Sequence, residues 1–281
     1  MPLPYYVTQA EIEQTVADAL REDIGSGDVT ADLIPESTYS VATVITREDM
    51  VLCGVDWFNE VFRQVDPSMK ITWFFNDADH VPANATLCRI EGKARSMLTA
   101  ERSGLNFVQT LSGTATQTQS YVQMIAHTRC KVLDTRKTLP NLRNAQKYAV
   151  LCGGGSNHRI GLYDRVLIKE NHIIAAGSIT AAIQQARRLH PTIPVEVETE
   201  NLKEVAEAIE AKADIIMVDD FNLADMREAV VFTNDRVPLE ASGGVNRDTI
   251  VAIAETGVDF VSIGGITKHI RAIDLSMRFQ S

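Results

Sequence analysis

Arg136 and Lys137 stand together in "LDTRKT", His158 and Arg159 in "GGGSNHRIGLYD", and Lys169 in "LIKENH". Arginine grips a carboxylate or phosphate in a bidentate fork and lysine acts as a compact charge, so such groups around one pocket suit a small polyanion. A histidine alone is as commonly a structural hydrogen-bonder. Glu198 in "VEVE" and Asp219 in "MVDD" bring the opposite sign. With no His or Cys cluster beside them, oxygen-only ligation suits Mg2+ carried on a phosphate. The same pair suits general acid and base work, or salt bridges to the nearby cations. "EASGG" and "SIGG" supply Ser242, Gly243, Gly244 and Gly264. Glycines let backbone N–H groups approach a phosphate. "GGGSNH" fits neither of the common nucleotide-loop patterns and reads as a flexible loop presenting His158 and Arg159. A phosphate site, an acidic pair and a separate cationic pocket point to an enzyme that joins a phosphosugar to an organic anion.

The cations stand out against the rest of the chain. The formal net charge is -10 over 281 residues. Between Arg129 and His172 there are nine Lys/Arg against three Asp/Glu, leaving 18 against 34 elsewhere. An acidic protein is a poor general nucleic-acid binder, and a basic island within one suits a small anion. A solvated helix face is the plainer account of such a run, and it applies to Arg143 and Lys147, spaced i, i+4. Arg165 opens a strand and stands apart from the others. No apolar run approaches the ~18 residues of a membrane span, and "MPLPYYVTQAEIEQ" lacks a signal peptide's basic and apolar blocks. The four scattered cysteines form no CxxC pair, which argues for reduced thiols in the cytoplasm and against a zinc site.

The elements that must position these residues follow from periodicity. In the second half, short apolar strands are expected at 131–135, 165–171, 194–200, 214–220, 238–244 and 258–265. Amphipathic helices are expected at 179–190, 201–212, 222–233 and 246–256. Repeated βα units imply a parallel sheet with helical crossovers. Six strands are fewer than a closed barrel's eight, so an incomplete barrel and an open doubly wound sheet both fit. In either, chemistry sits at the carboxyl ends of strands, and all six expected ends carry polar residues or glycine. The first half reads as mixed α and β. A Thr8–Glu11 capping box starts a helix, strands follow in "SVATVITRED", "KITWFF" and "TLCRIEGKA", and a helix in "GVDWFNEVFRQV" falls between two of them. From Leu98 to about His127 two helices are expected, broken near "SGTAT".

At these residues the sequence resembles the quinolinate phosphoribosyltransferase family. "EDIGSGDVT", "ERSGLN", "LDTRKTLP", "GGGSNHRIGLYD", "LIKENH", "VEVE", "EASGG" and "SIGG" occur in family order over nearly the whole chain. The resemblance implies an α/β protein with an N-terminal α/β sandwich domain (1–111) and an incomplete, open α/β barrel with parallel strands (112–281) that carries most of the site. The last residues are expected to pack back on the first domain. It implies quinolinate and phosphoribosyl pyrophosphate as substrates, and nicotinate mononucleotide, pyrophosphate and CO2 as products, in de novo NAD biosynthesis. Mg2+ is the expected metal, with no organic cofactor. Arg136, Lys137, His158, Arg159 and Lys169 are then the quinolinate cations, and Arg102 of "ERSGLN" is donated across a homodimer that can assemble further. Glu198 and Asp219 serve the ribose and the Mg2+–diphosphate, and Ser242, Gly243, Gly244 and Gly264 the 5′-phosphate. Lys137, Lys169, Glu198 and Asp219 are the expected catalytic set. Two residues depart from the family pattern. Asp220 stands where Asn is common, adding acid beside the metal, and Arg165 where a small residue is expected. A related transferase acting on a monocarboxylate would release no CO2, and a phosphosugar sensor would bind without turnover.

Overall fold

The computed structural model describes residues 1–280. In chain order the elements are α1 (Gln9–Ile24), β1 (Tyr39–Thr46), β2 (Met50–Val51), α2 (Val55–Val65), β3 (Lys70–Trp73), β4 (His80–Val81), β5 (Thr86–Lys93) and α3 (Ala94–Met124). Then come β6 (Lys131–Leu133), α4 (Arg143–Cys152), β7 (Val166–Ile168), α5 (Glu170–Ala176), α6 (Ile179–Leu189) and β8 (Val195–Thr199). The last are α7 (Leu202–Glu210), β9 (Ile215–Asp219), α8 (Leu223–Thr233), β10 (Leu239–Ser242), α9 (Ile250–Ala254), β11 (Phe260–Ser262), α10 (Gly265–Lys268) and β12 (Leu275–Phe279). Contacts divide the chain into two units. One holds Met1–Gln119, Thr138–Gly154 and the residues from Ile266 on, and the other holds Ser120–Lys137 and Gly155–Gly265. This division is discontinuous in sequence and crosses α3 between Gln119 and Ser120.

The first unit is built on an antiparallel sheet in the order β12-β1-β5-β3. α1 begins at a capping box: the Thr8 hydroxyl accepts the Glu11 N–H, and the Glu11 carboxylate accepts the Thr8 N–H. Its buried stripe is Ile12, Val16 and Leu20. Phe58 of α2 stacks on Phe62 at 4.6 Å and meets Trp73 of β3 edge-on at 5.2 Å. Each such ring removed from water is worth about 1.5–3 kcal/mol before entropy is counted. Tyr148 of α4 and Ile273 and Leu275 near the C-terminus belong to the same core. The expected break near "SGTAT" does not occur. Gly113 sits inside α3 because a Cβ there would overlap the backbone carbonyl of Arg271. The glycine permits a close backbone approach and ends nothing.

The second unit carries six parallel strands in the order β6-β11-β10-β9-β8-β7. β6 and β7 are the two edges, so the barrel stays open between them. Strand alternation sorts the side chains. Val195, Val197, Ile216, Val218, Ala241 and Val261 are fully buried apolar positions. The intervening positions Glu196, Glu198, Asp219, Glu240, Ser242 and Ser262 share the other face. Glu196 of β8 and Glu240 of β10 reach one another's neighbourhood across β9, so that face is concave. The strand expected over 165–171 is shorter than read. It ends at Ile168, and α5 begins at Glu170, because the His172 Nδ1 accepts the Lys169 N–H at 3.0 Å and caps a helical turn there.

Candidate active site

The carboxyl end of β6 leads directly into the first cations. Asp134 is fully buried and anchors this end. Its carboxylate accepts the Asn157 amide at 2.6 Å and the His158 N–H at 3.0 Å. Ser156 pairs with the β6 edge through Leu133, donating to the Val132 carbonyl at 2.8 Å. One buried acid therefore ties the "LDTRKT" segment to the "SNHR" segment. Arg136 and Arg159 are both half-buried. Burial, and then the nearby charge of Arg136, hold the Arg159 guanidinium below its ordinary value, against the opposing pull of Glu196 and Asp164. An anion placed between the two guanidinium groups would relieve that repulsion.

Lys137 reaches toward the last strand. A Cβ built on Gly264 would stand 2.9 Å from Lys137 Cδ and 3.7 Å from its Nζ. The lysine stem thus lies across the glycine of "SIGG". Lys169, at the end of β7, is ion-paired with Glu198 at the end of β8. Asp219 and Ser242 are register partners on β9 and β10. Gly243 and Gly244 follow with φ of 90° and 59°. At Gly243 a Cβ would overlap the carboxylate of Asp220, whereas Gly244 faces open space. Asp220 therefore packs on the glycine turn itself, and its N–H is bound to the Ser242 carbonyl at 3.2 Å.

His158 is 7% exposed, and its Nε2 lies 3.0 Å from Glu196 and 3.5 Å from Glu240. Arg102 lies in the first unit, exposed on α3. Lys147 is fully buried in the first unit, so the α4 pair with Arg143 is no solvated face. Arg165, set aside as scaffold, contacts Glu196 at 3.2 Å. Sequence reasoning passed over Glu196 and Glu240 as site components. The signal was present: in "VEVE" and "LEAS" the acids occupy the inward parity of otherwise apolar strands.

The strand ends of the second unit carry Arg136, Lys137, Arg159 and Lys169, partly exposed carboxylates on adjacent strands, and glycine turns. The donor set also fits Mg2+. Glu198 and Asp219 offer only oxygen, are partly accessible, and match a cation that binds few protein carboxylates and keeps phosphate oxygens.

The chain is similar to known proteins over nearly its whole length. Residues 114–278 match the family profile described as quinolinate phosphoribosyl transferase, C-terminal domain, and residues 28–112 match its N-terminal domain. The chain is 40% identical, over 96% of its length and 78% of the other's, to the chloroplastic nicotinate-nucleotide pyrophosphorylase (carboxylating) of Oryza sativa subsp. japonica. It is 40% identical, over 98% of its length and 93% of the other's, to the probable enzyme of that name from Synechocystis sp.. The structure of the nicotinate-nucleotide pyrophosphorylase from Francisella tularensis superposes with a TM-score of 0.97 at 52% identity, covering 100% of both chains.

Proposed function

The chain belongs to the quinolinate phosphoribosyltransferase family, and from that membership we propose how the barrel mouth divides the work. The protein is a decarboxylating phosphoribosyltransferase of de novo NAD biosynthesis, converting quinolinate and phosphoribosyl pyrophosphate to nicotinate mononucleotide, pyrophosphate and CO2. In our reading Arg136, Arg159, Lys137 and Lys169 receive the two carboxylates of quinolinate, and His158 serves the pocket through its neighbours. Ser242, Gly243, Gly244 and Gly264 take the 5′-phosphate. Glu198 and Asp219 face the ribose and would hold Mg2+ on the diphosphate, where the metal neutralises the leaving group.

The chemistry asks little of covalent catalysis. The ring nitrogen attacks the anomeric carbon as pyrophosphate departs, and the positive character left on the ribose is stabilised by nearby carboxylates. The ribosylated nitrogen is positive and stabilises the carbanion formed when the adjacent carboxylate leaves as CO2, and that carbon then takes up a proton from solvent to give nicotinate mononucleotide. No organic cofactor is needed for that electron sink. The observation that carries the reading is Lys137 lying across Gly264, because it joins the cation segment to a phosphate turn. Arg102, exposed on α3, is in our reading supplied to the neighbouring subunit of a homodimer. Four free, buried cysteines support a reducing, cytoplasmic setting, and among the described residues no helix is long and apolar enough to cross a membrane.

Turnover decides the matter. Purified protein mixed with quinolinate, phosphoribosyl pyrophosphate and Mg2+ is expected to release pyrophosphate and CO2 in equal amounts. Pyrophosphate without CO2, on a monocarboxylate such as nicotinate, would assign a different acceptor.

A further inference from the structure

Beneath the mouth, the barrel interior holds ionisable groups that the reaction outlined above does not use. Glu196 and Glu240 are fully buried and His158 nearly so. Burying such groups costs several kcal/mol each unless they are well paired, so apolar filling would be the cheaper way to stabilise the barrel.

The two nitrogens of the His158 ring meet different neighbours. Nδ1 accepts the Arg159 N–H at 2.7 Å, and Nε2 faces Glu196 Oε2 at 3.0 Å and Glu240 Oε2 at 3.5 Å. An accepting Nδ1 puts the ring proton on Nε2, the nitrogen within 3.0–3.5 Å of the two carboxylates. Glu196 is held in turn by Arg165. Burial and the neighbouring Glu196 drive the Glu240 carboxyl well up, partly offset by Ser262. From the other side, Asp134 accepts the His158 N–H. Successive N–H groups of the loop, those of His158 and Arg159, are thus each claimed by a buried side chain.

We propose that Glu196 and Glu240 are positioning residues for the anion pocket: they hold His158 in the tautomer whose Nδ1 accepts the Arg159 N–H, and so fix where the Arg159 guanidinium stands. This rests on the reading that Arg159 receives a quinolinate carboxylate. His158 then acts from below the pocket, as a strut, and the charge that meets the substrate is the arginine's. Preorganisation of this kind lowers the ordering cost of binding.

The test combines spectroscopy and kinetics. In protein labelled with 15N-histidine, long-range 15N–1H correlation is expected to show His158 protonated at Nε2 and bare at Nδ1, with its signal assigned by its loss in His158→Gln. Glu196→Gln is expected to disturb that tautomer and raise KM for quinolinate about tenfold or more, leaving KM for phosphoribosyl pyrophosphate within about twofold. Glu240→Gln, which keeps the shape of a protonated carboxyl, is expected to raise the quinolinate KM less than Glu240→Ala does. A His158 ring protonated at Nδ1 in the unaltered protein would overturn the proposal. So would equal rises in both KM values, as a merely structural defect would give. The underlying reading fails separately: Arg159→Ala with quinolinate KM intact removes Arg159 from the pocket, whatever the tautomer of His158.

Discussion

At the scale of single residues, the proposed pocket would draw its selectivity from paired cations. Arg136 and Arg159 repel one another until a dianion arrives, so removing either leaves part of that dianion unpaired. Arg136→Ala and Arg159→Ala are each expected to weaken quinolinate use by about 2–5 kcal/mol, read as kcat/KM at fixed phosphoribosyl pyrophosphate. A second residue-scale expectation concerns stability. Asp77 accepts the N–H groups of Gly54 and Val55 and the Tyr148 hydroxyl, yet burial lifts its carboxyl from 3.8 to about 6. The folded protein therefore holds a proton that the unfolded chain has released between about pH 4 and 6. Stability from this group is present in acid and lost as pH rises through that window, by about 3 kcal/mol. Asp77→Asn, which keeps the acceptor and the size, is expected to flatten that part of the urea-midpoint profile. An unchanged slope would show that Asp77 does not titrate there. The cations, acids and glycines of the mouth were readable from residue type and strand-end position. The face that His158 presents was not, since a single imidazole carries no sign of whether it looks up at a substrate or down at an acid.

At the scale of elements, the six barrel strands were legible because apolar runs recurred with helices between them. Local capping and close backbone approach were harder to see. The end of β7 is one example: "RVLIKEN" reads as one extended run, and only the His172 side chain reveals the turn into α5. His172→Ala is expected to cost about 1 kcal/mol of stability and to loosen Lys169. That would appear as a raised quinolinate KM with a small fall in melting temperature. Gly153 at the end of α4 is another. A Cβ there would overlap the Ala115 carbonyl and come within 2.6 Å of the Thr118 Cβ, so α4 can approach α3 only through a glycine. Gly153→Ala is expected to destabilise by about 1–3 kcal/mol, measured by denaturant unfolding, and full stability would disprove the close packing. Glycine was read as a loop signal at 113 and 153, and tertiary contact set its role at both.

At the scale of the whole molecule, the chain passes between its two units four times, after Gln119, Lys137, Gly154 and Gly265. The Arg102 reading can be tested in an assembly. Arg102→Ala and Lys137→Ala proteins, each nearly inactive, are expected to regain about a quarter of normal activity when unfolded and refolded together. Only a donated arginine leaves one of a mixed dimer's two sites intact, and no recovery would mean that Arg102 acts within its own chain.

β12 pairs with β1 from Thr46↔Leu275 to Ala42↔Phe279, joining opposite ends of the sequence. A ribosome therefore releases the whole open barrel before the first sheet can gain its outermost strand. Until then β1 has an unpaired edge, which invites pairing with other chains. The earliest-made sheet is completed last, and a chain that stopped after Asp274 would be damaged in the part synthesised first.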